Sequence, residues 1–359
     1  MPGLPTIGKI SPDVFRDLIY PRLGAPAGDV LVGPQSGVDV GIVEIGDRAV
    51  SFTSDPVFVV PAFGWEKAAW FAVHILLSDA VTCGLRPRFL SIDLNLPMEM
   101  GEDDLAVLWD TIHCECVKYG VSIICGHTGR YEGCHYPMVG GATVIGIGGK
   151  DEYVTPRLAR PGDMVIVTKG PAIEAAGILA TVFPDILERK YSHGFRNMAS
   201  DLFFKMSVVE DAFTAVGVGL RDDGVSAMHD ATECGVLGGL YELAQAAGLG
   251  LRVDKERIVI EPAAIEICRF FGIDPYIAIS EGTLIIACRE YAARAIVEAL
   301  SRKGITSSVV GELTEPEKGM AVIDGTRVRE LEHPVVDPFW QAFDKALGEQ
   351  GRVVTECRG

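Results

Sequence analysis

Apolar and polar positions recur with two different periods along the first 150 residues, and the change of period marks the predicted elements. Five apolar side chains recur at helical spacing and predict a helix from Glu66 to about Cys83: Ala68, Phe71, Ala72, Ile75 and Leu76. Residues 102–119 are also predicted to be helical. Strand patterns occupy 37–45, 49–53, 86–97, 121–125 and 137–148, with a turn at Gly46-Asp47 joining the first two. The pattern indicates a sheet packed against two helices.

The same reading places a second α/β unit after the Pro161-Gly162 turn, which precedes the apolar strand M-V-I-V-T. A chain of 359 residues exceeds what one core usually covers, so two domains are expected. We predict a first domain at 1–155, a second at 156–331, and a C-terminal helix with a mobile polar tail at 332–359. Val309 to Leu313 is predicted as the last strand, 24–34 as a Gly/Pro-rich loop, and Ser11-Pro12-Asp13 as a helix start.

Three polar clusters are predicted at the ends of the apolar segments of the first domain. They read S-F-T-S-D-P at 51–56, L-S-D-A at 77–80 and C-G-H-T-G-R at 125–130. The pattern predicts that strands end at Asp55 and His127, and that Ser78 and Asp79 lie near the end of a buried helix. Carboxylates beside apolar packing need a cation or hydrogen bonds as compensation, so the clusters favour a magnesium–nucleotide site.

Composition narrows the classes of partner. The formal net charge of −17 argues against a nucleic-acid-binding surface, because attraction to phosphates requires the opposite sign. No apolar run approaches the roughly 18 residues that span a bilayer, and the first residues lack a basic region followed by an apolar core, so we expect a cytoplasmic protein. The nine cysteines contain no C-x-x-C pair, which argues against a zinc ribbon or a redox motif.

Seven motifs in a fixed order connect the chain to a known family. They are G-V-D-V-G-I-V, S-F-T-S-D, L-L-S-D-A-V-T-C-G-L-R-P, I-C-G-H-T, G-D-M-V-I-V-T-K-G-P, M-H-D-A-T-E-C-G-V-L-G-G-L and S-E-G-T-L. Together they resemble the family of aminoimidazole ribonucleotide synthetase (PurM), thiamine-monophosphate kinase (ThiL), selenophosphate synthetase and the hydrogenase maturation protein HypE. Within it, the chain is most similar to HypE.

The resemblance implies an ATP- and Mg²⁺-dependent enzyme with a PurM-like fold of two α/β domains. It also implies a homodimer in which the first domains of both protomers form a β-barrel. By similarity, Asp39, Asp55 and Asp79 hold magnesium and the ATP phosphates, which agrees with the preference of Mg²⁺ for hard oxygen ligands. Asp230 and Glu281 match acids at the substrate end of the cleft. The remaining positions that the resemblance assigns to the nucleotide are Gly126, Thr128, Lys169 and Gly170.

Two histidines depart from the family pattern. His127 stands in C-G-H-T where the family carries an acid, and imidazole is a poorer Mg²⁺ ligand than carboxylate. Either the metal ligand set is reduced, or His127 acts otherwise, for example as a cation against phosphate. His74 replaces an asparagine of the HypE helix, and we interpret it as a hydrogen-bonded core histidine.

The functions that the resemblance allows differ in whether Cys357 carries the substrate. HypE carries a carboxamide on a C-terminal cysteine, and ATP-driven loss of water leaves a thiocyanate for hydrogenase iron. This activity would require a HypF-like carbamoyltransferase and an iron-centre scaffold resembling HypC and HypD. Here Arg358 and Gly359 follow the cysteine, and T-E precedes it where HypE has P-R. The alternatives are a synthetase or kinase acting on a free small metabolite, and a nucleotide-binding scaffold without turnover.

Overall fold

The computed structural model describes residue 10 and residues 12–356, which form two mixed sheets flanked by helices. The first sheet has six strands in the order β1-β2-β3-β6-β4-β5, in which only β4 and β5 pair in parallel. Its strands are Val30–Val32 (β1), Gly41–Ile45 (β2), Arg48–Phe58 (β3), Pro87–Leu96 (β4), Ser122–Arg130 (β5) and Met138–Gly149 (β6). Its helices are Pro12–Val14 (α1), Trp65–Val81 (α2) and Glu102–Tyr119 (α3).

The second sheet has seven strands in the order β13-β12-β9-β11-β7-β10-β8, in which only β9 and β12 pair in parallel. Its strands are Met164–Thr168 (β7), Val225–Ala231 (β8), Gly250–Asp254 (β9), Thr283–Cys288 (β10), Ser307–Thr314 (β11), Met320–Asp324 (β12) and Arg327–Glu330 (β13). Its helices are Ile173–Val182 (α4), Pro184–Glu188 (α5), His193–Ser200 (α6), Val209–Val216 (α7), Gly235–Ala247 (α8), Pro262–Phe271 (α9), Glu290–Arg302 (α10) and Pro338–Glu356 (α11).

Several predicted elements are confirmed. The 86–97 strand is present as β4, with Leu90, Ile92 and Leu94 buried at alternate positions. Helix α3 has the predicted bounds, and the β2–β3 hairpin turns at residues 46–47. These elements carry a strong local period, because each has one face against the core and one face outward.

Other predictions about strand ends were wrong. Asp55 lies inside β3 and His127 inside β5, because both strands continue through the polar clusters. A short strand, β1, lies within the predicted loop at 24–34, and two strands, β12 and β13, follow the predicted last strand. Strand β1 pairs with β2, β12 pairs with β9, and β13 pairs with β12, and the local sequence pattern does not reveal these pairings.

The C-terminal helix is longer than predicted, because α11 extends from Pro338 to Glu356. Its first turns are held by packing: Phe339 is buried, and the ring centroid of Phe343 lies 5.2 Å from that of Phe183. Cys357 lies outside the described residues. Within the described part of the chain, no helix combines the length and apolar character needed to cross a membrane.

The two sheets share a hydrophobic core at their junction. The ring centroid of Phe203, from the second half, lies 5.2 Å from that of Phe63 and 5.9 Å from that of Phe71, both from the first half. All three side chains are buried. The end of α2 is joined to the second half as well, because Ser78 Oγ accepts a hydrogen bond from the Val208 backbone N–H at 3.1 Å.

Candidate functional site at the junction of the two sheets

Five acids from separate elements meet at the junction, and we call them the acid cluster. One precedes β2, one lies in β3, one is near the end of α2, one is near the end of β8 and one precedes β10: Asp39, Asp55, Asp79, Asp230 and Glu281. The other four all raise the pKa of Asp79, so their charges act within one neighbourhood. The structure therefore brings together the five acids named from the sequence.

Burial and like charge oppose ionisation in the acid cluster. Burial is the main cause that raises the pKa of Asp79 well above its usual range, and Asp230 is the next. Burial also raises the pKa of Glu281 strongly, with further contributions from Asp230 and Glu174, while a hydrogen bond from Ser78 lowers it. A cation among these groups would relieve the repulsion, and oxygen donors are the ligands that Mg²⁺ prefers. The residues present therefore fit a divalent cation.

His229 connects the acid cluster to α8. Its Nδ1 lies 2.9 Å from Asp39 Oδ2, and its Nε2 lies 3.0 Å from Glu242 Oε2. Burial lowers the pKa of His229, but the two carboxylates outweigh that effect and raise it well above its usual value. The imidazole links the first half of the chain, through Asp39, to the second half.

His127 is not brought to the acid cluster. In the ladder of the first sheet, Asp55 shares a rung with Ala142 and Ile92, which are buried toward the helices. Asp93 and His127 form the next rung, whose side chains point to the opposite face. His127 is exposed there, and its Nε2 lies 2.7 Å from the hydroxyl of Tyr131.

The other residues of the C-G-H-T motif lie on the same edge strand, β5. A Cβ added at Gly126 would lie 1.9 Å from the carbonyl oxygen of Ile92. Close strand pairing therefore already requires a glycine at this position. Thr128 is exposed and pairs with Leu94 in the ladder. Whether either residue contacts a nucleotide stays a prediction.

Lys169 and Gly170 form the turn after β7. The Nζ of Lys169 donates to Asp211 Oδ2 at 2.8 Å and to the carbonyl oxygen of Ser207 at 2.6 Å. Gly170 has a φ of 89°, and a Cβ there would lie 1.9 Å from the carbonyl oxygen of Val259. Internal packing accounts for both residues, and their predicted nucleotide contacts stay predictions.

His74 is a hydrogen-bonded core histidine, as the sequence indicated. Its side chain is buried, with Nδ1 2.7 Å from Ser207 Oγ and Nε2 3.0 Å from Glu115 Oε2. Burial lowers its pKa, and the bond to Glu115 acts in the opposite direction. The ring therefore ties α2 to α3 and to the second half of the chain.

Sequence reasoning did not select three polar residues beside the acid cluster: Glu174, His229 and Glu242. Glu174 Oε2 accepts a hydrogen bond from the Glu281 backbone N–H at 2.9 Å. A signal existed for His229, which stands next to Asp230 in M-H-D-A. The signal for Glu242 is its spacing of seven residues from Gly235, which places both on one face of α8.

Two mixed α/β halves with carboxylates from both at their junction define a PurM-like two-domain protein. Residues 37–148 match the N-terminal domain model of the AIR synthase related proteins, and residues 160–324 match the C-terminal domain model. The chain belongs to the AIR synthase related protein family.

Two curated relatives align with nearly the whole chain. A putative hydrogenase expression/formation protein of Methanocaldococcus jannaschii is 25% identical over 92% of this chain and 96% of its own length. The carbamoyl dehydratase HypE of Escherichia coli is 26% identical over 83% of this chain and 85% of its own length.

Two solved structures share the fold. HypE in complex with ATP superposes with a TM-score of 0.62 at 20% identity, over 93% of this chain and 97% of that one. A chain of a HypE–HypF complex superposes with a TM-score of 0.65 at 18% identity, over 82% of this chain and 93% of that one. The similarity extends through both sheets.

Proposed function

We propose that the protein is an ATP- and Mg²⁺-dependent enzyme that, in the manner of HypE, dehydrates a carboxamide carried on Cys357 to a thiocyanate. The product would serve the assembly of a metal centre. The observation that carries the proposal is the acid cluster, in which half-buried carboxylates of the first domain meet buried carboxylates of the second. The carbamoyl dehydratase HypE of Escherichia coli, whose name states this chemistry, aligns with both domains of this chain.

The acids divide into two groups by position. Asp39, Asp55 and Asp79 come from the first domain and would hold Mg²⁺ and the ATP phosphates. When bound there, Mg²⁺ would supply charge neutralisation for the transferred phosphoryl group. Asp230 and Glu281 come from the second domain and would face the carboxamide.

The reaction needs a phosphoryl acceptor and a base. The carboxamide oxygen takes the γ-phosphoryl group, the nitrogen loses two protons, and the C–O bond breaks as phosphate leaves, so that a C≡N bond remains. Buried carboxylates are suited to accept these protons, because burial and like charge raise the pKa of Glu281. His127, on the other face of the sheet, would take part only through another chain or the C-terminal segment.

Helix α11 constrains how Cys357 would reach the acid cluster. The helix spans 19 residues, or about 28 Å at 1.5 Å per residue. Its residue Phe343 contacts Phe183 beyond the end of α4, whereas Glu174, beside the acid cluster, lies at the start of α4. Delivery of the thiol within one protomer would have to bring Cys357 from the Phe183 end of α4 back to the Glu174 end. This packing favours the second candidate, an ATP-dependent synthetase or kinase of a free small metabolite.

The proposed partners follow from the chemistry. A HypF-like carbamoyltransferase would supply the carboxamide, and a HypC/HypD-like iron scaffold would accept the product. A homodimer is supported by the exposed face of the first sheet, and we propose a cytoplasmic location. The separate sheets support the proposed domains 1–155 and 156–331, followed by the 332–359 segment.

The test separates the two chemical steps. The full chain is first incubated with a HypF-type carbamoyltransferase and carbamoyl phosphate, then purified and given MgATP, and the mass of the C-terminal peptide is read after each step. We expect a carboxamide adduct on Cys357 that loses the mass of water only in the second step. Cys357→Ala should carry no adduct, and Asp79→Asn should keep the carboxamide, with dehydration slowed about 100-fold or more.

The alternatives give different results. An unmodified peptide together with ATP turnover would move the proposal to the free-metabolite enzyme. A protein that binds MgATP but releases no phosphate under any of these conditions would be a nucleotide-binding scaffold. If Asp79→Asn abolishes a phosphate release that the native protein shows, the scaffold interpretation is excluded.

A further inference from the structure

A nitrogen ligand lies among the oxygen ligands at one end of the acid cluster. One ligand atom each from Asp39, His229 and Asp230 lie within 4.8 Å of one another. We propose that these three residues bind a divalent first-row transition ion, such as Mn²⁺, Co²⁺ or Zn²⁺, in preference to Mg²⁺. Imidazole favours these ions, whereas Mg²⁺ selects oxygen ligands.

Glu242 has the position of a supporting residue for a metal-bound histidine. Its Oε2 lies 3.0 Å from His229 Nε2, which leaves Nδ1 directed at Asp39. Protein histidines that bind a metal through one nitrogen usually donate the other N–H to a carboxylate, which fixes the tautomer and the ring. The metal would replace the proton on Nδ1, and the Nε2–H bond to Glu242 would remain.

Glu242 is itself held in place by two further contacts. Its Oε1 lies 3.3 Å from His333 Nε2. A Cβ added at Gly37 would lie 2.6 Å from the Glu242 carbonyl oxygen, so the loop that carries Asp39 packs directly against α8. The three proposed ligands therefore have positions set by packing between the two halves of the chain, and a bound ion would cross-link those halves.

Charge at this point also suits a dication. The carboxylates of Asp39, Asp230 and Glu242 lie around the His229 imidazole, and both His229 and Asp230 are buried. Glu242 also contacts His333, so Asp39 and Asp230 supply the negative charge at the proposed ligand atoms. A divalent ion coordinated by these two carboxylates and the imidazole would offset that charge.

This inference deepens the proposed function and shares two residues with it: Asp39 of the proposed Mg²⁺–ATP site, and Asp230, which would face the carboxamide. Its test therefore uses the full chain without nucleotide, so that it does not depend on turnover. Co²⁺ is titrated by its visible absorption, Mg²⁺ is used as the competitor, and bound Mn²⁺ is examined by electron spin-echo spectroscopy for coupling to ¹⁴N.

We expect Co²⁺ and Mn²⁺ to bind at least about 10-fold more tightly than Mg²⁺, with ¹⁴N coupling on bound Mn²⁺. His229→Ala should remove the coupling and weaken Co²⁺ binding by about 100-fold, and Glu242→Gln should weaken it by about 10-fold. His113→Ala, a change at an exposed histidine of α3, is the matched control and should leave binding unchanged.

The inference fails if native protein binds Mg²⁺ as tightly as Co²⁺, if bound Mn²⁺ shows no ¹⁴N coupling, or if no ion binds without nucleotide. The coupling is read on native protein, so a variant that does not fold leaves this criterion intact. Metal binding with these properties in a protein that does not dehydrate a Cys357 carboxamide would support the metal site and reject the proposed function. Dehydration of the carboxamide by a protein whose bound Mn²⁺ shows no ¹⁴N coupling would support the proposed function and reject the metal site.

Discussion

At the scale of single residues, buried acids of this protein differ in what surrounds them. Asp163 is buried with both carboxylate oxygens 2.7 Å from Arg289 Nη1, and Ser226 donates to it at 2.7 Å. Glu281 is equally buried, but its neighbours are other acids. Removing the partner of a buried paired acid is strongly destabilising, whereas grouped acids need a cation or protons to offset their like charges.

Asp337 gives a pH-dependent prediction at this scale. It accepts hydrogen bonds from the backbone N–H groups of Cys234 and Phe339, and burial raises its pKa to about 6 from 3.8. Because the folded-state pKa is above the unfolded-state value, the stabilisation is present below pH about 4 and is lost as the pH rises through about 6. We expect this group to lower the free energy of unfolding by at most about 3 kcal/mol over that range.

The measurement is urea unfolding between pH 4.5 and 7 on native protein and Asp337→Asn, with the difference between the two curves plotted against pH. Other acids contribute equally to both proteins and cancel. A difference that does not change with pH would show that Asp337 keeps its usual pKa.

At the scale of elements, the turn after β7 is fastened to α7 by a buried ion pair. Lys169 Nζ and Asp211 Oδ2 are 2.8 Å apart, and both side chains are at least 90% buried. Lys169 has a φ of 55°, an uncommon backbone conformation for a residue with a side chain. The pair holds this turn beside Ser207, whose hydroxyl contacts His74 of α2, so three elements depend on it.

We predict that Asp211→Ala lowers the free energy of unfolding by about 3–5 kcal/mol, because it leaves a buried lysine charge without its carboxylate. Urea unfolding measures the change, and Asp185→Ala, at an exposed acid of α5, is the control. Lys169→Met combined with Asp211→Ala should recover most of the loss. If Lys169→Met alone weakens ATP binding and leaves stability unchanged, Lys169 serves the nucleotide.

At the scale of the whole molecule, one face of the first sheet is open in the single chain. A shallow cavity of about 440 Å³ on this sheet is lined in part by Ser54, Ser91, Asp93 and Thr143. Phe52 is 38% exposed on β3, and edge strand β5 is exposed along most of its length. An uncovered sheet face and edge favour pairing with a second copy of the chain.

We predict that the native protein is a dimer and that Phe52→Asp raises the dimer dissociation constant about 100-fold or more, because it places a charge in the buried contact. Size-exclusion chromatography with light scattering over a dilution series measures this change. Val117→Asp, at a residue of α3 that is 64% exposed, should leave the dimer intact. A native protein that is monomeric at every concentration would contradict the prediction.

The sequence by itself determined the elements whose burial period is local. Helix α3 and strand β4 have the predicted extents, because in each element the apolar side chains recur with its period and face the core. The five acids were also identified from motifs in a fixed order, and the structure brings them together. The histidine in α2 was interpreted as a core residue, and its two hydrogen bonds confirm that.

Only the tertiary structure decided which residues face one another across the chain. Strands β1 and β12 form because β2 and β9 pair with them, and the local hydrophobic pattern does not show which strands will pair. His127 faces away from Asp55 because the ladder places them on adjacent rungs of one sheet. His229 meets Asp39 across 190 positions of sequence, a contact that depends on the packing of two domains and on no local propensity.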